Sequence, residues 1–371
     1  MRLGIYIHIP FCKQRCSYCD FLSSTKLENE ENYIKKLKQE LVFRSNDFND
    51  YEIDTIFVGG GTPSVLRSGA LSSVMEVLSA NYHLTQDVEV TVEANPDTFT
   101  EEKLQEYSSF ATRVSLGVQS LSDKVLSVAG RLHDEGGARK ALELLSNSKL
   151  KGSADLILGL PLDTLESVVY SVKGILDYGI DHLSAYGLKI EEGTPFYRDF
   201  TSQKRVFPDD DTVSDMYDKV VDIAKEYGLM RYEVSNFARI GSECKHNVGY
   251  WKRKPYLGVG IGAHSLIDNV RYENTSKIDK YLLTSDFDSI RKVESLLSDE
   301  DCLFEEIMLG LRLSEGICVE GLNKRYNIDF ESRFSTAIKK LKAVLNINNG
   351  KISVKEQYFY ALNSIIVEFF E

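Results

Sequence analysis

Several absences narrow the field. The N-terminus, MRLGIYIHIP, has no apolar stretch of the kind that directs export, and no segment of the 371-residue chain approaches the length of a membrane span. There is no excess of positive charge. Lysine and arginine number 44 against 56 aspartates and glutamates, a net charge of −12. Phosphate binding needs a basic face, so no nucleic-acid partner is expected. Internal repeats and low-complexity linkers are missing too. What remains is an ordinary globular composition, long enough for one large domain with an appended piece. A chain that is not exported keeps its six cysteines in a reducing cytoplasm. There, clustered thiols mean metal or catalysis sooner than disulfides.

β-Rich runs recur along the first half: GIYIHI, IDTIFVGG, VEVTVEA, RVSLGVQ, ADLILGL and HLSAYGL. Between them lie charged segments of helical period, such as ENEENYIKKLKQELVFR and TLESVVYSVKGILDYG. That alternation implies an α/β fold with a parallel sheet. Six units fall short of the eight that close a full barrel, so an open three-quarter (β/α)6 barrel is expected. A flat, doubly wound sheet has the same strand order in sequence. The expected division is a partial barrel over 1–200, a barrel extension over 201–295, and a small helical, winged-helix-like unit over 296–371. In the extension, PDDDTVSDMYDKVVDIAKEYGL opens with Pro and Asp, which suit a helix N-terminus. RYEVSNF reads as one strand. In the last unit, Asn-Asn-Gly within LNINNGKISV predicts a hairpin turn.

The densest signal is FCKQRCSYCDF. Cys12, Cys16 and Cys19 follow the first strand directly, at the end where barrel sites are built. Thiolates suit zinc or iron–sulfur clusters. A structural zinc wants four ligands, and no fourth Cys or His stands within reach in sequence, since His8 lies back inside the strand. Three thiolates suit a [4Fe–4S] cluster with one iron left open, able to chelate the amino and carboxylate groups of S-adenosylmethionine (SAM). Cys302 and Cys318 read as core thiols, whereas Cys244 in GSECKHNVGYW is less easily set aside. FVGGGTPS ends the second strand with three glycines, which bring backbone N–H groups close to a ligand. Further strand ends and turns carry Glu93, Gln119, Arg131 and Asp155. Taken singly, each reads equally as a network residue or a ligand. A carboxylate on an apolar strand, as at Asp155, costs energy unless it is paired or bonded.

The C-x3-C-x2-C spacing, with an aromatic before the last cysteine, resembles the radical SAM superfamily. Together YIHIPFCKQRCSYCDF, GGGTP, VEANPD, LGVQS…GRLHD and DLILGLP resemble its oxygen-independent coproporphyrinogen III oxidase family, over nearly the whole chain. The resemblance implies a cluster on Cys12, Cys16 and Cys19, with Tyr6, Tyr18, Gly60 and Glu93 contacting the SAM bound to it. Gly61, Thr62, Gln119, Arg131 and Asp155 match positions that hold a second SAM in the decarboxylase branch. Two features depart from that branch: Cys19 is followed by Asp20-Phe21 rather than by a further cysteine, and its N-terminal extension is lacking. The Cys-x-Phe ending, the short start and an HNxxYW signature instead resemble the HemW-type haem chaperones. These bind haem and deliver it to acceptors such as membrane-associated respiratory enzymes. A haem carrier is therefore expected. Two enzymatic alternatives stand beside it: oxidative decarboxylation of coproporphyrinogen III, and radical SAM methylation of a tetrapyrrole.

CKHNVGYWKRK offers His246 as an axial iron ligand, Tyr250 and the sole tryptophan, Trp251, as walls, and Lys252, Arg253 and Lys254 for propionates. The bare residues favour a core histidine, an anchoring tryptophan and a solvated charge run. The resemblance reverses that preference. His264 and Cys244 are further candidates, while His8, His83, His133 and His182 read as structural. With no basic amphipathic helix, contact with a membrane is expected only through an acceptor. Oligomeric state is not legible here.

Overall fold

A computed structural model describes residues 1–370; Glu371, the last residue of the expected C-terminal unit, lies outside them. Six parallel strands pair in sequence order: β1 (Arg2–Ile9), β2 (Glu52–Gly60), β3 (His83–Ala94), β4 (Arg113–Gln119), β5 (Lys151–Leu158) and β6 (His182–Gly187). Their interiors are apolar on both faces. In β4 every residue but the last is buried, the pattern of a parallel sheet covered by helices. The helices that follow β1 to β6 present one apolar stripe each. Leu165–Leu176 buries Val168, Val172 and Ile175, and starts at a capping box in which Thr164 and Ser167 satisfy each other's N–H groups. The expected Pro-Asp start at 208–211 is a helix over Asp210–Glu226, with Asp209 accepting from the Thr212 N–H.

The sheet is wider than six strands, and it is open. Beside β6 run two short antiparallel strands, β7 (Met230–Arg231) and β8 (Asn236–Ala238). At the other side β9 (Tyr256–Val259) pairs parallel with β1, followed by antiparallel β10 (His264–Ile267), β11 (Val270–Asn274) and β12 (Arg291–Leu296). RYEVSNF is thus two strands around a turn. Glu233 points inward, 1% exposed, and accepts from the Ser235 N–H at 3.1 Å, so the strand period breaks there. Side chains from the ends of β2 to β6 face one common cavity, a convergence that requires the curvature of a partial barrel rather than a flat sheet.

The last seventy residues have their own apolar core, with Leu303, Ile307, Phe330, Phe334, Ile352 and Ile366 at its centre. Short helices pack on an antiparallel sheet of β13 (Ile317–Cys318), β14 (Leu345–Asn348) and β15 (Lys351–Val354), in the order β13-β15-β14. Asn349 and Gly350 both take positive φ, 52° and 71°, as a two-residue hairpin turn requires. Cys302 is buried, but Cys318 is exposed, contrary to expectation. Ile317 takes the inward position of its two-residue strand, and alternation turns Cys318 out.

Candidate functional site

The cysteine loop is tied at its neck. Phe11 is fully buried and packs edge-on against Tyr33. The Cys12 N–H donates to Ser24 O at 3.0 Å, and the Ser24 N–H to Pro10 O at 2.6 Å. The middle of the loop is held from two sides. The Ser17 N–H donates to Ala129 O (2.9 Å), and the Phe196 N–H to Ser17 O (3.0 Å). Main-chain bonds therefore hold all three half-buried thiols around one cavity. Thr62 Oγ1 donates to Cys12 Sγ and Arg131 Nη1 to Cys16 Sγ, each at 3.4 Å, and the first bond favours the Cys12 thiolate. Burial pushes the Cys12 and Cys19 thiols up, a cost that ligation to a metal cation removes. Among the described residues, no three His, Cys, Asp or Glu side chains gather to hold a single metal ion. Thiols spread around a shared cavity are the donor set of a polynuclear cluster.

The glycine turn lies against this loop. Gly60 has φ +105°, and a Cβ there would meet the His8 ring at 2.3 Å. A Cβ on Gly61 would meet the carbonyl oxygens of Ile9 and Phe11, each at 2.7 Å. The Gly61 and Thr62 N–H groups donate to those same carbonyls, at 2.8 and 2.7 Å. The Gly60 N–H donates to Glu93 Oε2 at 3.0 Å. Withdrawal from bulk water, with Asp155 nearby, pushes the Glu93 carboxyl up to about 7. The same withdrawal raises Asp155, opposed by hydrogen bonds from Ser184 and Ser115. Arg131 Nη2 donates to Asn95 Oδ1 and Gly117 O, both at 2.7 Å, while its Nε is buried without a partner.

Cys12, Cys16, Cys19, Tyr18, Gly60, Gly61, Thr62, Glu93, Gln119, Arg131 and Asp155 thus line one cavity of about 380 Å³. Tyr6 stands outside the lining, under Gly60, with its OH 3.0 Å from His8 Nδ1. Sequence reasoning missed Asn95, Ser115 and Tyr186, which also line it. Asn95 bridges Arg131 and Thr62, and stood in plain view in VEANPD. Phe21 lies on the cavity lining, 58% exposed.

The CKHNVGYW segment is elsewhere. Helix Lys245–Trp251 packs on Gly4 and Thr55, near the starts of β1 and β2, so it closes the barrel end remote from the cysteine loop. His246 is 3% exposed, and both ring nitrogens are engaged: Nδ1 with Thr55 Oγ1 and Nε2 with Tyr250 OH, each at 2.9 Å. Burial pushes its pKa down to about 3, so the ring is neutral. This geometry offers no free lone pair to an iron and matches the core-histidine reading. Trp251 is half-buried at a separate groove beside Cys318. Lys252, Arg253 and Lys254 pair with Glu315, Glu305 and Asp54, and His264 with Glu294.

Residues 6–175 match the radical SAM superfamily and residues 297–361 the HemN C-terminal domain. Among solved structures, coproporphyrinogen III oxidase (HemN) from Escherichia coli shares the fold with a TM-score of 0.85, over 99% of this chain and 89% of its own, at 21% identity. The partial barrel and its three-cysteine cavity are those of a radical SAM protein, a class that carries a [4Fe–4S] cluster and SAM. The residues fit both: three thiols, two of them with side-chain donors aimed at sulfur, the Glu93 carboxylate opposite, and an orphaned Arg131 Nε in the wall. Relatives bearing the name Heme chaperone HemW are more similar in sequence. That of Lactococcus lactis is 32% identical over 98% of this chain and 96% of its own length. For Bacillus subtilis the figures are 32%, 94% and 93%, and for Escherichia coli 37%, 71% and 70%. The chain belongs to the HemW family.

Proposed function

We propose that this chain binds haem and hands it to an acceptor protein, with a cluster and SAM seated in the cavity. The observation that carries the reading is Phe21. It presents an exposed apolar ring at the cavity, at the position where the decarboxylase pattern has a further cysteine. The likeness to relatives named as haem chaperones, over nearly the full chain, supports it.

Cys12, Cys16 and Cys19 would ligate the cluster, which when bound supplies an open iron and an electron to SAM. Thr62 and Arg131 hold two of the sulfurs by donation. Glu93, fixed by the Gly60 N–H, would accept from the SAM ammonium, and that cation would favour its ionised form. Arg131, tied to Asn95 and Gly117, keeps its remaining donor for a carboxylate. Contact of haem with His246, Tyr250 and Trp251 belongs to the same proposal and requires helix 245–251 to open, because both His246 nitrogens are engaged. The acceptor class is a membrane-associated respiratory enzyme, and the chain's own place is the cytoplasm; no described helix is long and apolar enough to cross a membrane. The division at about 200 and 295 is proposed likewise, supported by the separate apolar core after residue 302.

One observation favours a second, enzymatic reading: Gly61, Thr62, Gln119, Arg131 and Asp155, which match second-SAM positions, share the cavity. The anaerobic protein with its cluster reconstituted decides between them. A stoichiometric haem absorption spectrum, followed by transfer to an apo-acceptor, is the expected result. Conversion of coproporphyrinogen III with accumulation of 5′-deoxyadenosine would overturn it.

A further inference from the structure

The C-terminal unit is joined to the rest of the chain along two seams of different character. One is made of main-chain bonds and rings. The Ser314 N–H donates to Tyr232 O at 2.9 Å, Ser314 Oγ donates to Arg231 O at 3.0 Å, and Glu233 bridges to Leu313. Arg231 Cζ lies 4.9 Å from the ring centre of Tyr217 and 5.0 Å from that of Phe359, one ring from each side of the seam. The other seam is ionic and centres on Glu305, in the helix Asp299–Gly310. Glu305 Oε2 accepts from Arg253 Nε at 2.8 Å, and its Oε1 accepts from Arg271 Nη2. Arg253 Nη1 donates to Asn269 Oδ1 at 2.9 Å. The Arg253 and Glu305 side chains are 7% and 17% exposed, so solvent screens the pair little.

Arg253 stands where a glycine is the usual residue. Helix Lys245–Trp251 ends in a Schellman turn, in which the Arg253 N–H donates to Tyr250 O at 3.0 Å and the Lys254 N–H to Gly249 O at 2.9 Å. The bend puts Arg253 at φ +53°, which glycine takes freely and an L side chain does not. Nothing in the turn itself calls for an arginine; the bond to Glu305 does.

The helix is thereby held from two sides. His246 bonds to Thr55 of the barrel, whereas Trp251 and Arg253 meet the C-terminal unit. That second contact is loosely packed. A groove of about 290 Å³ runs along it, walled by Trp251, Leu313, Ile317 and Cys318. The Lys252–Glu315 pair on its wall is half open to water and adds little. A contact with a groove through it and one buried ionic node at its end can part without exposing a core.

We propose that Glu305, clasped by Arg253 and Arg271, is a latch: the C-terminal unit holds helix 245–251 shut against the barrel, swings on the seam at 231–233, and admits haem to that helix only when the clasp has parted. The inference rests on the reading that haem meets helix 245–251.

Hydrogen exchange of the full-length, haem-free protein reads the latch directly. Glu305→Gln is expected to raise exchange of the helix 245–251 amides about tenfold and to leave those of β4 unchanged. The haem association rate, followed by quenching of the sole tryptophan, Trp251, should rise by a similar factor, because only the open form is competent. Arg253→Gln should give a smaller rise, since Arg271 still holds Glu305, and the double variant should not exceed Glu305→Gln alone. Lys225→Gln breaks an exposed pair with Glu356 beside the other seam and should change neither readout. Exchange within about twofold of wild type in Glu305→Gln overturns the latch. So does a rise that extends to β4, which is lost stability, and so does haem capture that is unchanged or slower. A wild type that takes no haem, while Glu305→Gln still frees the helix, would bring down the haem reading and the gate with it, leaving the clasp structural.

Discussion

Replacing His246 with alanine measures its core role while helix 245–251 is closed, apart from any contact with haem. The substitution deletes bonds to Thr55 Oγ1 and Tyr250 OH, each 2.9 Å, and removes the ring that packs 5.4 Å from Phe57. Thr55 is 5% exposed, so its hydroxyl is left without water or partner. An orphaned buried hydroxyl costs about 1–3 kcal/mol, and truncating a ring this buried adds about 2 kcal/mol. A loss of about 3–5 kcal/mol follows, a large share of a typical folding free energy. Urea denaturation of the haem-free protein at neutral pH reads it. The pH dependence gives a second check with a definite sign. Burial lowers the imidazole from 6.5 to about 3, so the unfolded chain takes up a proton that the folded one refuses. The stability due to the neutral ring is complete above the ordinary value and is lost as pH falls toward the folded one, at about 1.4 kcal/mol per pH unit. The alanine variant lacks that slope, so the two curves converge on acidification. A variant with an unchanged urea midpoint would refute this reasoning and leave His246 free to meet haem without any opening of helix 245–251.

Three further outcomes are expected. Gly61→Ala places a Cβ 2.7 Å from two carbonyl oxygens of the cysteine-loop neck, so it should cost about 1–3 kcal/mol and lower iron content per chain; full iron with an unchanged melting temperature would contradict this. The Glu93 carboxyl, raised from 4.5 to about 7, keeps its proton in the ligand-free protein; stability from that protonated state falls as pH rises toward 7, while SAM affinity rises over the same window. In Glu93→Gln the affinity profile should be flat, and a persisting slope would assign it to another group. Serine at Cys12, Cys16 or Cys19 should each remove bound iron and acid-labile sulfide, whereas Cys302→Ser, buried away from the cavity lining, should leave both unchanged.

The six central strands are legible because they are buried on both faces. Runs such as the Val114–Val118 stretch of β4 need no partner to be recognised. The strands of the barrel extension are not. In β12 only Arg291 and Ser295 are even partly covered and the other four residues are exposed, so no apolar period marks it as sheet. Its place comes from main-chain pairing with β11, a long-range property that residue types do not encode. RYEVSNF misleads for the opposite reason. Its Tyr-Val-Phe alternation imitates one strand, yet Glu233 pairs with a residue as distant as Leu313, and the chain turns to let it.

The site divides along the same line. The cysteine spacing is local chemistry and can be read directly, whereas the glycines of 59–61 mean two things at once. They open space for a ligand, but His8, Ile9 and Phe11 would forbid side chains at 60 and 61 in any case. A run of glycines is therefore weaker evidence of binding than it looks, and the converging Glu93 and Asp155 are stronger. Histidines show the difference most sharply. What makes an imidazole a ligand, a relay or a strut is the partner of each nitrogen, and those partners are distant in sequence: Thr55 for His246, 191 positions away, and Ser153 and Tyr232 for His182, at 29 and 50. His246 drew attention through its motif, and both its ring nitrogens prove to be spent on Thr55 and Tyr250. His182 has no motif, yet both its ring nitrogens are engaged as well, by Ser153 and Tyr232.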